Sequence, residues 1–507
     1  MLNLSNLRVH SPLSKTVIFL LAILVPIVSS VVISSRPMMA ITAVVLPAFA
    51  IICLLSLRSP KWGFLGLIAI SPGIYVAKRL QFGLEGRIVE YNNILSLIPQ
   101  AIVISILLGL MFRFALHGSV VFPRSKLNLP IFSLIFLSIV QMFNPSSTLS
   151  VGLHGFRVFS FALLAYFIGL YAIRTRRDVH QLLIWISVVA VVIAAYGLKQ
   201  VLVGFSDLEY TWVIEFVGRD SNSWFPGGDY LRIFSALASP FDLATFMMMS
   251  ILLLMPMVKW VSSGKVLWAL LLTLMATLML GTLFATANRG AWVGLAGGMA
   301  TIVALSGARG WRSLALRCML VALVVIALAV AFFVIIFPLV SGSFPPELAR
   351  RVQSLQDPFD NPEMRYRFRA WREAIDFTLC NPLGKGLGTT GYLAKRFELG
   401  QFGAVDDVYI KVLVETGWIG LGVLLWVFYT IYKVGISMYF RLQDTFLRAA
   451  MVSILGVVSS VAIYGIVIPV LETQMSSFCF WFLVGAMVKL GGIERAEVVR
   501  RRQELEV

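Results

Sequence analysis

Charge is what this 507-residue chain has least of. Asp, Glu, Lys and Arg make up 13% of it and hydrophobic residues 59%, whereas soluble globular domains carry roughly 25% charged residues. That balance excludes a soluble fold and points to a polytopic membrane protein. Cysteine and histidine are nearly as sparse, at four each. Cys53, Cys318, Cys380 and Cys479 are scattered, with no close pair and no metal-ligand spacing, which argues against a structural disulfide. His10, His117, His154 and His180 form no cluster, and no HExxH occurs, so metal catalysis has little support, the five carboxylates of the 204–231 loop being the one set that could collect a hard cation. Acidic residues are outnumbered 25 to 42, giving a net charge of +17. The surplus falls mostly in short loops between apolar runs, as the positive-inside rule requires, and does not suggest nucleic acid as a partner.

What the chain has in quantity is long apolar runs. With about 20 apolar residues needed to cross the hydrocarbon, the sequence predicts an all-α bundle of about fourteen transmembrane helices. Their centres lie near Leu24, Leu46, Ile68, Ile104, Leu137, Leu164, Val191, Leu252, Leu274, Ala300, Ile326, Leu424, Ser459 and Leu483. The first run, Thr16–Ile33, is long for a signal-peptide core and lacks an A-x-A site, so it is expected to be retained. Alternating sides from a cytoplasmic N-terminus puts Arg58/Lys61, Arg113/Arg124/Lys126, Arg174/Arg176/Arg177, Arg309/Arg312/Arg317 and the Arg500–Arg502 tail inside, with both termini cytoplasmic. The expected organisation is an N-terminal bundle (residues 1–203), an outward acidic loop (204–231), central helices (232–341), a long extracytoplasmic loop (342–405), C-terminal helices (406–490) and a tail (491–507).

Two outward loops are long enough to build something, which in a compact bundle usually means function or disorder. The first carries Asp207, Glu209, Glu215, Asp220 and Asp229. The second, Gly342–Val405, carries nine Lys/Arg against seven Asp/Glu, and its Met364–Leu379 stretch has an amphipathic helical pattern. On such a helix Arg365, Arg369 and Arg372 share a face and Arg367 points elsewhere. Guanidinium forks bind phosphate oxygens bidentately, but an interfacial helix touching lipid headgroups carries arginines too, and chemistry alone leaves both readings open. Asn288-Arg289-Gly290 marks a span boundary, where an arginine either snorkels or serves a site. Arg232, just before a span, has the same two readings. Asn381–Gly388 (NPLGKGLG) lacks a P-loop ending and is read as a flexible turn letting backbone approach a ligand, with Lys385 inside it. Asp406-Asp407 opens a helical pattern running to Glu415 and Gly417, as a cap or as a carboxylate base.

Taken together, these stretches resemble the O-antigen ligase and Wzy-type polymerase family of bacterial surface-polysaccharide assembly. Arg232 followed by Ser239-Pro240-Phe241-Asp242 resembles the family's arginine with a proline-Asn before a span. Asn288-Arg289-Gly290-Ala291-Trp292 resembles its small-Arg-Gly-x-aromatic turn. Arg367-x-x-x-Trp371 with Asn381-Pro382-Leu383-Gly384-x-Gly386-x-Gly388 resembles its Arg…Trp…His-Pro-Leu-Gly-x-Gly-x-Gly segment, followed by a doublet and Gly417-x-x-Gly420. The overlap runs from about Arg232 to Tyr432. In one respect the chain departs from the ligases: Asp406-Asp407 stands where they carry His-Asn/Ser/Gln, which resembles the Asp-Asn variant of exopolysaccharide polymerases.

The resemblance implies a cofactor-free, metal-independent glycosyltransferase in the bacterial inner membrane. It would polymerise undecaprenyl-diphosphate-linked repeat units on the outer face, with a repeat-unit flippase and a chain-length regulator as partners. By the same resemblance Arg289 and Arg367 stabilise the departing diphosphate and Asp406 is the base. Substrate binding would fall to Arg232, Arg365, Arg369, Asp407, Lys385 and Trp371. The alternatives are a ligase passing finished glycan to a lipid or protein, and a transporter or flippase without catalysis. The predicted topology is checked by cysteine labelling: Asp220 and Pro358 should react from outside, and Arg176, Arg312 and Arg501 positions only after permeabilisation. Labelling of position 358 from the cytoplasm would overturn it.

Overall fold

The computed structural model of the protein describes residues 37–85, 91–117, 125–217, 231–257, 266–306, 362–399, 402, 405 and 407–505. These residues fold as helices joined by turns, and nine of the helices are long and apolar enough to cross a membrane. The chain is an all-α, multi-pass membrane protein. Nine of the expected span centres fall in those nine helices. Leu137 and Ala300 fall in shorter apolar helices, Leu46 lies in the helix Pro37–Arg58, and Leu24 and Ile326 lie outside the described residues.

Contacts divide the described residues into two compact units. The first unit joins α1 (Pro37–Arg58), α2 (Pro60–Glu85) and α3 (Tyr91–His117) with the segment that holds a short helix at Asp207–Thr211. Its helices approach closely at small residues: a Cβ on Gly63 would collide with Ser56, and one on Gly109 would sit 3.0 Å from the Leu57 backbone. The Arg113 guanidinium donates to the Leu57 carbonyl at 2.7 Å, closing off one of the last carbonyls of α1.

The second unit begins with α4 (Asn128–Met142) and α5 (Leu149–Gly155). A π-turn at Phe156–Ser160 and a 3-10 turn lead on to α6 (Leu164–Ala172), all within one candidate span. Then come α7 (Arg176–Leu202), α8 (Pro240–Leu253), α9 (Val266–Ala285), α10 (Arg289–Leu305), α11 (Pro362–Cys380) and α12 (Gly391–Arg396). The unit closes with α13 (Val408–Arg441), α14 (Thr445–Tyr464) and α15 (Gln474–Leu505). Side-chain caps start five of the long helices, α7, α8, α10, α13 and α14. Thr175 and Asp178 form a reciprocal capping box on α7, and Asp444 accepts from the Phe446 and Leu447 amides of α14 at 2.8 and 2.9 Å. Glycines bring neighbours to backbone contact: Gly290, Gly294 and Gly298 line α10 where it meets α14, and Gly169 of α6 meets Gly485 of α15. In a membrane, where burying apolar side chains gains little, such small-residue seams are a main source of packing energy.

One break organises this unit. Helix α13 is interrupted at Gly417, whose backbone (φ 71°, ψ −171°) is non-helical. The interruption frees carbonyls at Val414 and Glu415, and the Asn381–Gly388 loop takes them: the Lys385 amide donates to Val414 at 2.8 Å and the Gly386 amide to Glu415 at 3.0 Å. In return the Trp418 amide donates to the Pro382 carbonyl at 3.2 Å. Gly384 (φ 82°) lies so close that a Cβ on it would be 2.6 Å from the Gly417 nitrogen. A Cβ on Gly417 would fall onto the Pro382 carbonyl oxygen. The glycine-rich turn was expected to let backbone approach a ligand. What its backbone meets here is other backbone, of α13, and α4 holds it as well: Gln141 Nε2 donates to the Leu383 carbonyl at 2.7 Å.

Gly417→Ala therefore combines a glycine-only conformation with a steric overlap. It should destabilise the protein by about 3 kcal/mol or more, seen as a lower thermal midpoint in detergent. Gly422→Ala, in the same helix with nothing within 4 Å of the added Cβ, should be neutral or slightly stabilising. Equal effects of the two substitutions would refute the docked kink.

Candidate active site

The second unit gathers several motif residues around the C-terminal end of α14. Arg232 is reached first. Its stretch is pinned to α7 by Gln200, whose Oε1 accepts from the Phe234 and Ser235 amides at 3.1 and 2.7 Å. The Ser235 hydroxyl donates to the Ile193 carbonyl at 2.6 Å. With Leu231, Ile233 and Phe234 buried on either side, Arg232 is itself only 7% exposed, its guanidinium 6.0 Å from the Phe241 ring. Ser239 then caps α8: its hydroxyl accepts from the Asp242 amide at 3.1 Å and meets the Asp242 carboxylate at 3.2 Å. Pro240 takes the first helical position, where a missing N–H costs nothing.

Asn288 and Arg289 open α10. Asn288 caps the helix through the Ala291 amide at 3.4 Å, and its Nδ2 donates to the Tyr464 hydroxyl. Ala287, just before it, holds φ at 50°, a left-handed conformation that costs a residue with a Cβ about 1–2 kcal/mol. Such strain persists only where the surroundings fix it. Arg289 is half-buried at the first helical turn. Directly after it, a Cβ on Gly290 would lie 2.7 Å from Val467 and 3.0 Å from Tyr464, so the helix start is pressed against the end of α14.

Helix α11 delivers Arg367 to the same place. Its Nη1 donates to the Val467 carbonyl at 2.5 Å. As the spacing predicted, Arg365, Arg369 and Arg372 lie on the exposed face of α11 and Arg367 turns inward. Four residues on, Trp371 Nε1 donates to Asp407 Oδ2 at 2.8 Å. Asp407 is buried, and its other oxygen accepts from the Ile410 amide at 2.8 Å, making it the N-cap of α13. Asp406 lies outside the described residues. The start of α13 is anchored to the end of α14 as well, through the Val408 amide to Gly465 and the Tyr409 hydroxyl to Ala462, both 2.8 Å.

Tyr464 is thus the common neighbour. It is fully buried, bonded to Asn288, and has Asp242, Arg232 and Arg367 as its charged surroundings. Sequence reasoning passed over it, because a tyrosine ending an apolar span carries no local signal of function. A second missed group is legible in retrospect. Lys411 and Glu415 stand four apart inside an apolar run, and a charge within a span is costly unless it is paired. Here Lys411 bridges Glu415 at 3.3 Å and Glu472 at 3.0 Å, and the Thr390 hydroxyl donates to Glu415 at 2.6 Å. That network ties the end of the glycine loop to α13 and to the turn after α14. Lys385 is half-buried, 5.4 Å from the Phe402 ring and 6.0 Å from Phe377, and this burial pulls its pKa below the ordinary lysine value.

Chemically, the arrangement is cationic, partly dry and rigidly supported, which suits an anion with several oxygens. No group of three or more His, Cys, Asp or Glu side chains able to hold a metal occurs among the described residues. Tyr464→Phe leaves the buried Asn288 amide without its acceptor, and a buried unsatisfied donor costs about 1–3 kcal/mol. A drop in the unfolding midpoint is expected, and an unchanged midpoint would show that Tyr464 does not hold the Asn288-Arg289 turn.

Comparison with known proteins bears on the same residues. Residues 274–425 match the family model described as O-Antigen ligase, Wzy_C, a stretch holding Arg289, Arg367, Trp371, Lys385 and Asp406-Asp407. No curated protein matches the chain. The chain is a multi-pass membrane protein whose residues 274–425 are similar to the O-antigen ligase domain, which supports a membrane glycan-processing enzyme.

Proposed function

We propose that the protein is a metal-independent glycosyltransferase of the bacterial inner membrane that polymerises undecaprenyl-diphosphate-linked repeat units on the outer face. The observation that carries this reading is the convergence of Arg232, Asn288-Arg289 and Arg367 on the end of α14. In the reaction, an acceptor hydroxyl oxygen bonds to the anomeric carbon of the donor glycan and the bond from that carbon to phosphate breaks. The electron pair leaves with the lipid diphosphate. Guanidinium groups held in place stabilise the growing charge more than reorganising water does, and Arg289 and Arg367 are assigned that task, with Arg232 behind them. The hydroxyl proton passes to a carboxylate, which is assigned to Asp406. Its neighbour Asp407 caps α13 and receives Trp371, and so orients the start of the helix that follows Asp406. Lys385 is assigned to glycan or phosphate contact, and the exposed Arg365 and Arg369 to lipid headgroups or to the donor's outer phosphate.

The ligase reading is favoured by the match of residues 274–425 to the O-Antigen ligase family model, and the polymerase reading by aspartate in the place of the ligase histidine. Purified full-length protein with a lipid-linked repeat unit separates them: a polymerase gives a ladder of longer glycans without any other acceptor. Arg289→Ala and Arg367→Ala should slow ladder formation by about 30- to 1000-fold, the equivalent of roughly 2–4 kcal/mol of lost charge stabilisation. Arg→Lys, which keeps charge but loses the fork, should fall between. Asp406→Asn should stop turnover while donor binding survives, and chelator should have no effect. Normal ladders from both alanine variants at wild-type expression would refute the site, and activity restored only by magnesium or calcium would refute metal independence.

A further inference from the structure

Two arginines that lie on other elements remain unaccounted for. Arg157 sits on the π-turn Phe156–Ser160, between α5 and α6. π-turns are rare and tend to mark functional positions, since the extra residue re-aims a side chain. Its guanidinium is half-buried and its Nε is shielded from solvent with no hydrogen-bond partner among the described residues. The charged group beside it is another cation, Arg396, at the end of α12.

The pair is held together by packing. Helices α5 and α12 touch, and the His154 ring meets Phe397 edge-on at 5.3 Å. Gly155 faces the glycine loop so closely that a Cβ there would lie 2.7 Å from the Leu387 carbonyl carbon and collide with the Gly388 nitrogen. A fold that brings two guanidinium groups together and leaves one with a buried, unsatisfied donor has assembled half of an ionic contact. Like charges repel, and a shielded donor without an acceptor is costly. An anion with several oxygens between them removes both penalties, since each fork accommodates a phosphate bidentately.

We propose that Arg157 and Arg396 bind a second phosphate-bearing group, separate in its residues from the Arg289 and Arg367 set: the diphosphate of the acceptor lipid. The assignment rests on the polymerase reading, because a polymerase must hold two lipid diphosphates at once. One is released when its bond to the glycan breaks. The other stays attached to the acceptor throughout and needs only an anchor. Arg157 and Arg396 are accordingly binding residues for the acceptor. They do not act on the reacting bond.

The test is a binding stoichiometry, which does not depend on turnover. Full-length protein in nanodiscs of zwitterionic lipid is titrated with farnesyl diphosphate, and bound molecules per chain are counted by native mass spectrometry. Wild type should bind two. Arg157→Ala and Arg396→Ala should each weaken one site about tenfold or more and leave the other unchanged, with Arg157→Lys intermediate. Arg289→Ala with Arg367→Ala should remove the opposite site, so failure of the donor assignment and failure of this one give different patterns. If Arg157→Ala does not fold, the exposed Arg396 supplies the same measurement. One site in wild type, or two sites surviving in Arg396→Ala, would overturn the proposal. A parallel titration in nanodiscs containing phosphatidylglycerol distinguishes the sources of phosphate. Were the Arg157-dependent site filled by that headgroup and closed to farnesyl diphosphate, the pair would be a lipid contact and the acceptor assignment would fall.

Discussion

A helix that breaks inside apolar surroundings must find new partners for the backbone groups it releases, because water is not there to take them. In this protein the break at Gly417 and the loop at Asn381–Gly388 solve that problem for each other. The carbonyls of Val414 and Glu415 receive the loop amides, and the Trp418 amide returns to Pro382. Everything nearby depends on this exchange. It fixes the Cys380 end of α11, and therefore the helix that carries Arg367 and Trp371. It also sets the direction of the first segment of α13, and with it the Asp407 cap, Lys411 and Glu415.

The second support is electrostatic and lies close by. Lys411 between Glu415 and Glu472 puts one cation against two carboxylates in a buried setting. Replacing such a group with apolar side chains is often neutral for stability, whereas removing one partner is expensive. Here it does something a set of leucines would not: through Thr390 and Glu472 it gives the glycine loop, α13 and the turn after α14 a single register. The cationic site is built on elements that cannot slide independently.

How far the sequence reveals this differs from residue to residue. Hydropathy identified the spans because lipid imposes a single length scale on them, and Ile68, Val191, Leu424 and Leu483 all lie in candidate spans. The arginine pattern of α11 was readable from spacing alone, since helical periodicity separates Arg367 from Arg365, Arg369 and Arg372. The glycine motif was visible but its use was not. A glycine string says that backbone comes close to something, and only the fold shows that the something is α13. Tyr464 and Arg157 were silent because their meaning comes from partners 176 and more than 200 positions away, Asn288 and Arg396 respectively. The doublet was half legible: capping chemistry fits Asp407, and Asp406 remains an assignment by resemblance.

The seam between α10 and α14 bears on how this protein can be taken apart. The family-matching stretch ends at residue 425, yet Arg367 rests on Val467, the Asn288–Gly290 turn that carries Arg289 rests on Tyr464 and Val467, and Arg232 reaches the same place from before residue 274. The matched segment is therefore not a transplantable module. Cut out or grafted onto another bundle, it would keep its arginines and lose the floor they stand on. Chimeras that swap specificity between relatives should exchange the neighbourhood of residues 231–242 and 462–472 along with it.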